Sequence, residues 1–402
     1  MKPIKALALL FFGVCVIAFG VIGARSFFKT RSVEAERGAE ATTLTKVDQR
    51  ILRAMQAIER SPNKSEGYNQ LASAYMQKAR ETGNFSINAN ADEAINRSLS
   101  VEQDNYDGLK LRAKLQLTYH RFAEALNTAR RAESLRNDDH DVWGLITDAL
   151  VELGDYPNAV KSAQKMVDLR PDSSSYARVS YLRSLHGDAD GAIYAMSAAL
   201  KSTDPNDLEG IAWCRVQLGN ELMNTGRLEA AERQFDQALH TFPNHHLALQ
   251  AKARARVAAG DLQAAVAIYE QQQAKSESAD VAQALGDVYQ QLGREDAARA
   301  AYQRFETLER ENATIERSWR HMLNYWLDHD QNVQEALNLA KHEYAMRKDI
   351  FTCDSLAWAL FKNGLMKDAK NRIDEALRTG TKDTRINYHA GIIYNALNAT
   401  SN

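Results

Sequence analysis

One residue returns along this chain with the period of a helical hairpin. Alanine stands at Ala91, Ala125, Ala159, Ala192, Ala231, Ala265, Ala298, Ala336 and Ala369, at spacings of 34, 34, 33, 39, 34, 33, 38 and 33 residues. Six of these alanines end a phrase with glycine in its second place: LGDYPNA, HGDADGA, TGRLEAA, AGDLQAA, LGREDAA and NGLMKDA. A unit of about 34 residues holds two helices and their turns, and it cannot bury an apolar face alone. The units must therefore stack, each using its neighbours as core. For a chain of 402 residues this favours a repeat array over a fold with one central core.

The interior of each unit agrees. In the third, Trp143, Ile146, Thr147 and Leu150 fall on one helical face, and Gly154 breaks the helix where positive φ is needed. Ala159, Ala163 and Met166 mark the inner face of a second helix, which Pro171 ends. Tyr68, Leu71, Ala72 and Tyr75 repeat the first-helix pattern, as do Leu218, Gly219 and Leu222, and Leu285, Gly286 and Tyr289. The first unit carries an insert near residues 81–90, and in the eighth Gln331 stands in place of the turn glycine. Residues 205–208 and 309–314 absorb the two longer spacings. Only 6 prolines and 20 glycines interrupt the chain, as helix throughout requires.

Trp143, Gly154, Tyr156, Ala159 and Pro171 of the third unit carry most of the signature of the tetratricopeptide repeat (TPR) family, which the chain resembles from residue 46 to its C-terminus. The resemblance implies an all-α, right-handed α-solenoid of helix–turn–helix repeats, with a concave groove lined mainly by each unit's first helix. Nine full units are expected, opened by a lone helix near 47–61 and closed by one near 385–397. The family implies protein or peptide partners and no catalysis. Its bacterial, membrane-anchored members suggest envelope roles such as cytochrome maturation, secretion, or cell-wall and outer-membrane assembly.

Residues 6–23 are 18 uncharged, almost wholly apolar residues between Lys2 and Lys5 on one side and Arg25, Lys29 and Arg31 on the other. This length is near that of a membrane span, and Val21-Ile22-Gly23-Ala24 is a poor cleavage site. Residues 1–31 therefore read as an N-terminal signal anchor, residues 32–45 as a polar linker and residues 46–402 as the solenoid. The expected location is the inner (cytoplasmic) membrane, single-pass, with the repeats on the periplasmic side. A cleaved signal and a cytoplasmic-facing domain are the alternatives.

Other chemistry finds no support. Fifty basic against 52 acidic residues lack the excess that a nucleic-acid footprint requires. Cys15, Cys214 and Cys353 are too dispersed for a disulfide framework or a zinc site. Asp188-Ala-Asp190-Gly191 resembles a fragment of a calcium loop but falls in the turn register, and His240, His245 and His246 read as solvent-facing residues of an inter-repeat loop. No phosphate loop, GxSxG elbow or HExxH motif is present. No catalytic residue, metal or cofactor is expected.

Projecting the repeat phase onto the groove places Lys110 and Lys114 in the second unit, Arg178 and Tyr181 in the fourth, and Trp213, Gln217 and Asn220 in the fifth. The C-terminal third contributes His321, Tyr325, Phe351, Trp358, Phe361 and Tyr388. These aromatics are the leading candidates for partner anchoring, and Lys110, Lys114 and Arg178 are the weaker set. The expected function is a membrane-anchored scaffold that binds protein or peptide partners. The alternatives are a regulatory or positioning subunit of an enzyme such as a glycosyltransferase or protease, and a cryptic enzyme.

Overall fold

The computed structural model describes residues 44–316 and 319–400, with no side-chain description for 312–316 and 400. The chain divides into two units at Gln49 and Arg50. Of the first, only residues from Leu44 onward are described. There Thr45 and Asp48 cap the opening helix: the Thr45 hydroxyl donates to the Asp48 carboxylate at 2.6 Å, and the Asp48 amide donates back at 3.2 Å. The apolar run at residues 6–23 lies outside the described residues. Among the described residues no helix is long and apolar enough to cross a membrane, and no strand occurs.

The described residues form twenty α-helices. The first, α1, runs Lys46–Arg60. Nine antiparallel pairs follow: α2 Ser65–Thr82 and α3 Asn88–Val101; α4 Tyr106–Thr118 and α5 Phe122–Leu135; α6 His140–Glu152 and α7 Tyr156–Leu169. Next come α8 Ser173–Leu185 and α9 Ala189–Ser202; α10 Leu208–Asn224 and α11 Leu228–Thr241; α12 His246–Ala258 and α13 Leu262–Gln273. The last are α14 Ala279–Gln291 and α15 Glu295–Glu316; α16 Arg320–Asp328 and α17 Val333–Met346; α18 Ile350–Lys362 and α19 Met366–Ala376. The closing helix α20 spans Thr384–Thr400.

The periodic alanines explain the close packing within each pair. Eight of the nine are fully buried, and Ala298 is 4% exposed. The turn before each has its own chemistry. Gly154, Gly187 and Gly260 take φ of 80°, 75° and 79°, and the next residue, Asp155, Asp188 or Asp261, caps the second helix. The Asp188 carboxylate, for example, accepts the Gly191 amide at 3.0 Å, so the calcium-like fragment is a helix cap. Where arginine or leucine stands instead, at Arg121, Arg227 and Leu365, the helix has no side-chain cap. In the eighth unit the left-handed residues are Asp330 and Asn332, at φ 54° and 44°, not Gln331. That turn is one residue longer than those of the second to seventh and ninth units, and short polar side chains tolerate the strained backbone there.

Cores run between neighbours, as in an array, but the largest goes further. It joins Leu145, Ile146 and Tyr156 of the third unit to Ile350, Cys353 and Ile373 of the ninth. The Tyr156 hydroxyl accepts the Ile350 amide at 2.9 Å across 194 residues. Other such contacts set Gly83 and Phe85 of the first unit against His246 of the sixth, and Gly187 against Gly380. Residues 50–402 thus wind into a superhelix that meets itself after about five to six units of 34 residues.

Candidate partner-binding channel

Winding encloses the inner faces of the first helices. Lys114 on α4 is exposed to solvent, yet burial by the surrounding protein pulls its ammonium down to about 8, with Arg80 and Arg178 adding to the effect. These cations belong to the first, second and fourth units and act on one another across a shared space. Glu209 of the fifth unit closes the ring, 3.8 Å from Arg80, and burial raises its carboxyl pKa. Among the described residues no carboxylate pairs with Lys114 at ion-pair distance.

Tyr181, one turn beyond Arg178 on α8, is 42% exposed. Its phenol is raised by burial first, then by Glu152 and Asp349, which belong to the third and ninth units. The charges that act on it thus come from the third and ninth units, which the Tyr156–Ile350 contact brings together. Arg178 itself is held firmly. Its Nε and Nη2 donate to the two carboxylate oxygens of Asp148 at 2.8 and 2.5 Å, and its Nη1 donates to Ser174 Oγ at 2.7 Å. Gly144 makes the space, since a Cβ there would stand 3.0 Å from the guanidinium carbon. Lys110 is anchored too, 2.6 Å from Asp139 and 3.2 Å from Asp141. Burial opposes the Asp139 charge, but hydrogen bonds from Lys110 and Tyr106 hold its carboxyl well below the usual range.

The C-terminal aromatics do not form the open patch that the repeat phase suggests. Tyr325 is 3% exposed, edge-on to Phe305 at 5.0 Å and tilted against Tyr302 at 5.2 Å. Trp358 is 6% exposed and stacks on His389 at 4.2 Å and on Phe361 at 5.1 Å. Both are core residues, because the long helix α15 covers one and the closing helix α20 covers the other. Phe351 and Phe361 are half-buried against the same core. Tyr388 remains 63% exposed. His321 also stays accessible, with Asp280 and Glu309 each 3.7 Å from Nδ1, and Glu309 raises its pKa above the ordinary imidazole value.

The histidines of the sixth unit also depart from expectation. His245 is fully buried, where its Nδ1 accepts the Ala248 amide and caps α12. It stacks on His246 at 5.5 Å, and the Phe85 ring stands edge-on to His246 at 6.1 Å. The first-unit insert is therefore the piece that reaches the sixth unit. The phase missed the residues that close the superhelix, because Glu152 and Arg347 are 195 residues apart and match no local pattern.

Sequence profiles of the tetratricopeptide repeat match residues 110–175 and 216–279, and a second profile of the same repeat matches 279–312. The chain carries tetratricopeptide repeats. None of the curated proteins matches it by sequence. Among solved structures, the human IFIT1 dimer with m7Gppp-AAAA is similar at 15% identity and TM-score 0.53, over 83% of this chain and 77% of that one. A chain of the APC/C hetero-tetramer Cut9-Hcn1 is similar at 14% identity and TM-score 0.52, over 87% of this chain and 67% of that one. At these identities the likeness is one of fold.

Proposed function

We propose that this protein is a non-catalytic scaffold, held at a bacterial inner membrane by residues 6–23, whose superhelical interior receives an extended segment of a partner protein. The observation that carries the reading is the inner wall. Lys114 and Tyr181 are accessible, enclosed, and used neither by the core nor by an ion pair among the described residues. A repeat array can leave such a surface free because its stability comes from contacts between neighbours. Polar groups on a preformed wall can satisfy the backbone of an extended chain at little entropic cost.

The charge pattern favours protein over nucleic acid. Lys110, Arg178 and Arg80 each already face a carboxylate, whereas a polyanion needs cations free to neutralise phosphates. The buried state of Tyr325 and Trp358 moves the binding surface away from the C-terminal third, where Tyr388 is the exposed aromatic that remains.

The test is affinity purification of the full chain from detergent-solubilised membranes, with and without Lys114→Glu combined with Tyr181→Ala. Recovery of the principal partner should fall about tenfold, the equivalent of 1.4 kcal/mol, at an unchanged melting temperature. Undiminished recovery would remove the interior from consideration. A single enzyme recovered in equal amount would favour the positioning-subunit reading. Alkaline extraction tests the anchor, since removal of residues 1–31 should release the protein from the membrane pellet.

A further inference from the structure

From the contacts between successive turns, we infer that the interior is walled sideways and admits a free, extended chain end while excluding folded domains. This rests on the interior being the binding surface.

The wall is made where turn meets turn. At Gly154 a Cβ would collide with the carbonyl of Lys348, and at Gly187 it would stand 2.5 Å from the carbonyl of Gly380. Both glycines occupy left-handed turns, with φ of 80° and 75°. The tips of the third and fourth units therefore touch backbone of the following turn with no space for an intervening side chain, let alone a peptide. Arg378 bridges the same gap, donating from Nη2 to the Lys348 carbonyl at 2.5 Å and to that of Gly154 at 3.4 Å. Behind it Arg347, 3% exposed and the C-cap residue of α17, binds Glu343 of that helix at 3.1 Å and Glu152 of the third unit at 3.4 Å. Arg347 and Glu343 are buried charges that cannot separate cheaply, and Glu152 is half-buried beside them.

A second set of contacts closes the earlier part of the turn, with Phe85 against His246 and Arg80 against Glu209. A ligand that reaches Tyr181 must therefore pass along the superhelix axis or wait for the wall to open. A chain end meets the first condition. A folded domain, or a loop that would have to slip in from the side, does not.

Size-selective labelling tests this without knowledge of the partner. Tyr181→Cys places a thiol inside, and Tyr194→Cys, at a site 78% exposed, places one on an open surface. Each variant of the full chain is treated with N-ethylmaleimide, with a maleimide at the end of an extended Gly-Ser peptide, and with a maleimide on a compact gold cluster. The unsubstituted protein corrects for its own cysteines. All three reagents should label Tyr194→Cys. At Tyr181→Cys the first two should react readily, and the cluster about tenfold or more slowly, because its reaction must await local opening. Equal labelling of both sites by the cluster would show that the wall is open and overturn the inference. Exclusion of the peptide reagent together with the cluster would overturn it as well. Neither result touches the scaffold reading, which co-purification judges separately.

Discussion

Trp358 illustrates how a side chain can occupy the right register and serve a different purpose. Its ring lies nearly parallel to His389, at an interplanar angle of 8°, and to Phe361, at 10°. The Lys362 ammonium stands 5.1 Å from its centroid. Below it the His389 ring is fixed by Asp354, 2.8 Å from Nδ1, with both groups buried. Trp358→Ala should open a cavity in this stack and cost about 3–5 kcal/mol. Chemical denaturation should show the loss, while any partner that still binds the folded fraction should do so with unchanged affinity. A stable variant with weakened binding would restore Trp358 as an anchor. Lys114 presents the opposite case, a single charge whose enclosure lowers its pKa and which a ligand's anionic or carbonyl group would relieve.

Helix α12 shows how an element start can carry a pH response. His245 is its cap and is fully buried. Burial, then the neighbouring His246, pulls its imidazole down to about 4. The unfolded chain binds a proton near the ordinary value of about 6.5, while the folded chain resists until about 4. Stability is therefore full above pH 6.5 and falls as pH drops towards 4. His245→Asn retains a good cap without a titrating group. It should flatten the fall in melting temperature between pH 6.5 and 4. An acid profile identical to that of the parent would show that His245 does not govern it. The contact with Phe85 makes this the element through which acid would loosen the first superhelical turn.

At the scale of the whole array, the turn-to-turn seam adds long-range coupling to a fold otherwise built from neighbours. Arg347 is its buried hub, with Glu343, Glu152 and Asp349 around it. Arg347→Ala leaves buried carboxylates uncompensated and should cost about 3–5 kcal/mol. Because the seam joins the third and ninth units, hydrogen exchange should quicken in α6 and α18 together, and small-angle scattering should show a larger radius of gyration. Exchange confined to the eighth and ninth units would mean that the seam contributes no coupling.

What the sequence determined by itself is the content of one unit. Ala159 between helices and the turn at Gly154 are short-range requirements, each met within a few residues, and so the period exposes them. The tetratricopeptide repeat was legible for the same reason. The tertiary structure alone decided which inner-face residues stay open. Tyr325 and Trp358 share the favourable phase but are covered by α15 and α20, and helix phase gives a direction without saying what lies in it. It alone also decided that Gly154 meets Lys348 and Tyr156 meets Ile350. Those contacts depend on the small rotation added at every repeat, and only its sum over a full turn brings residues 194 apart into register.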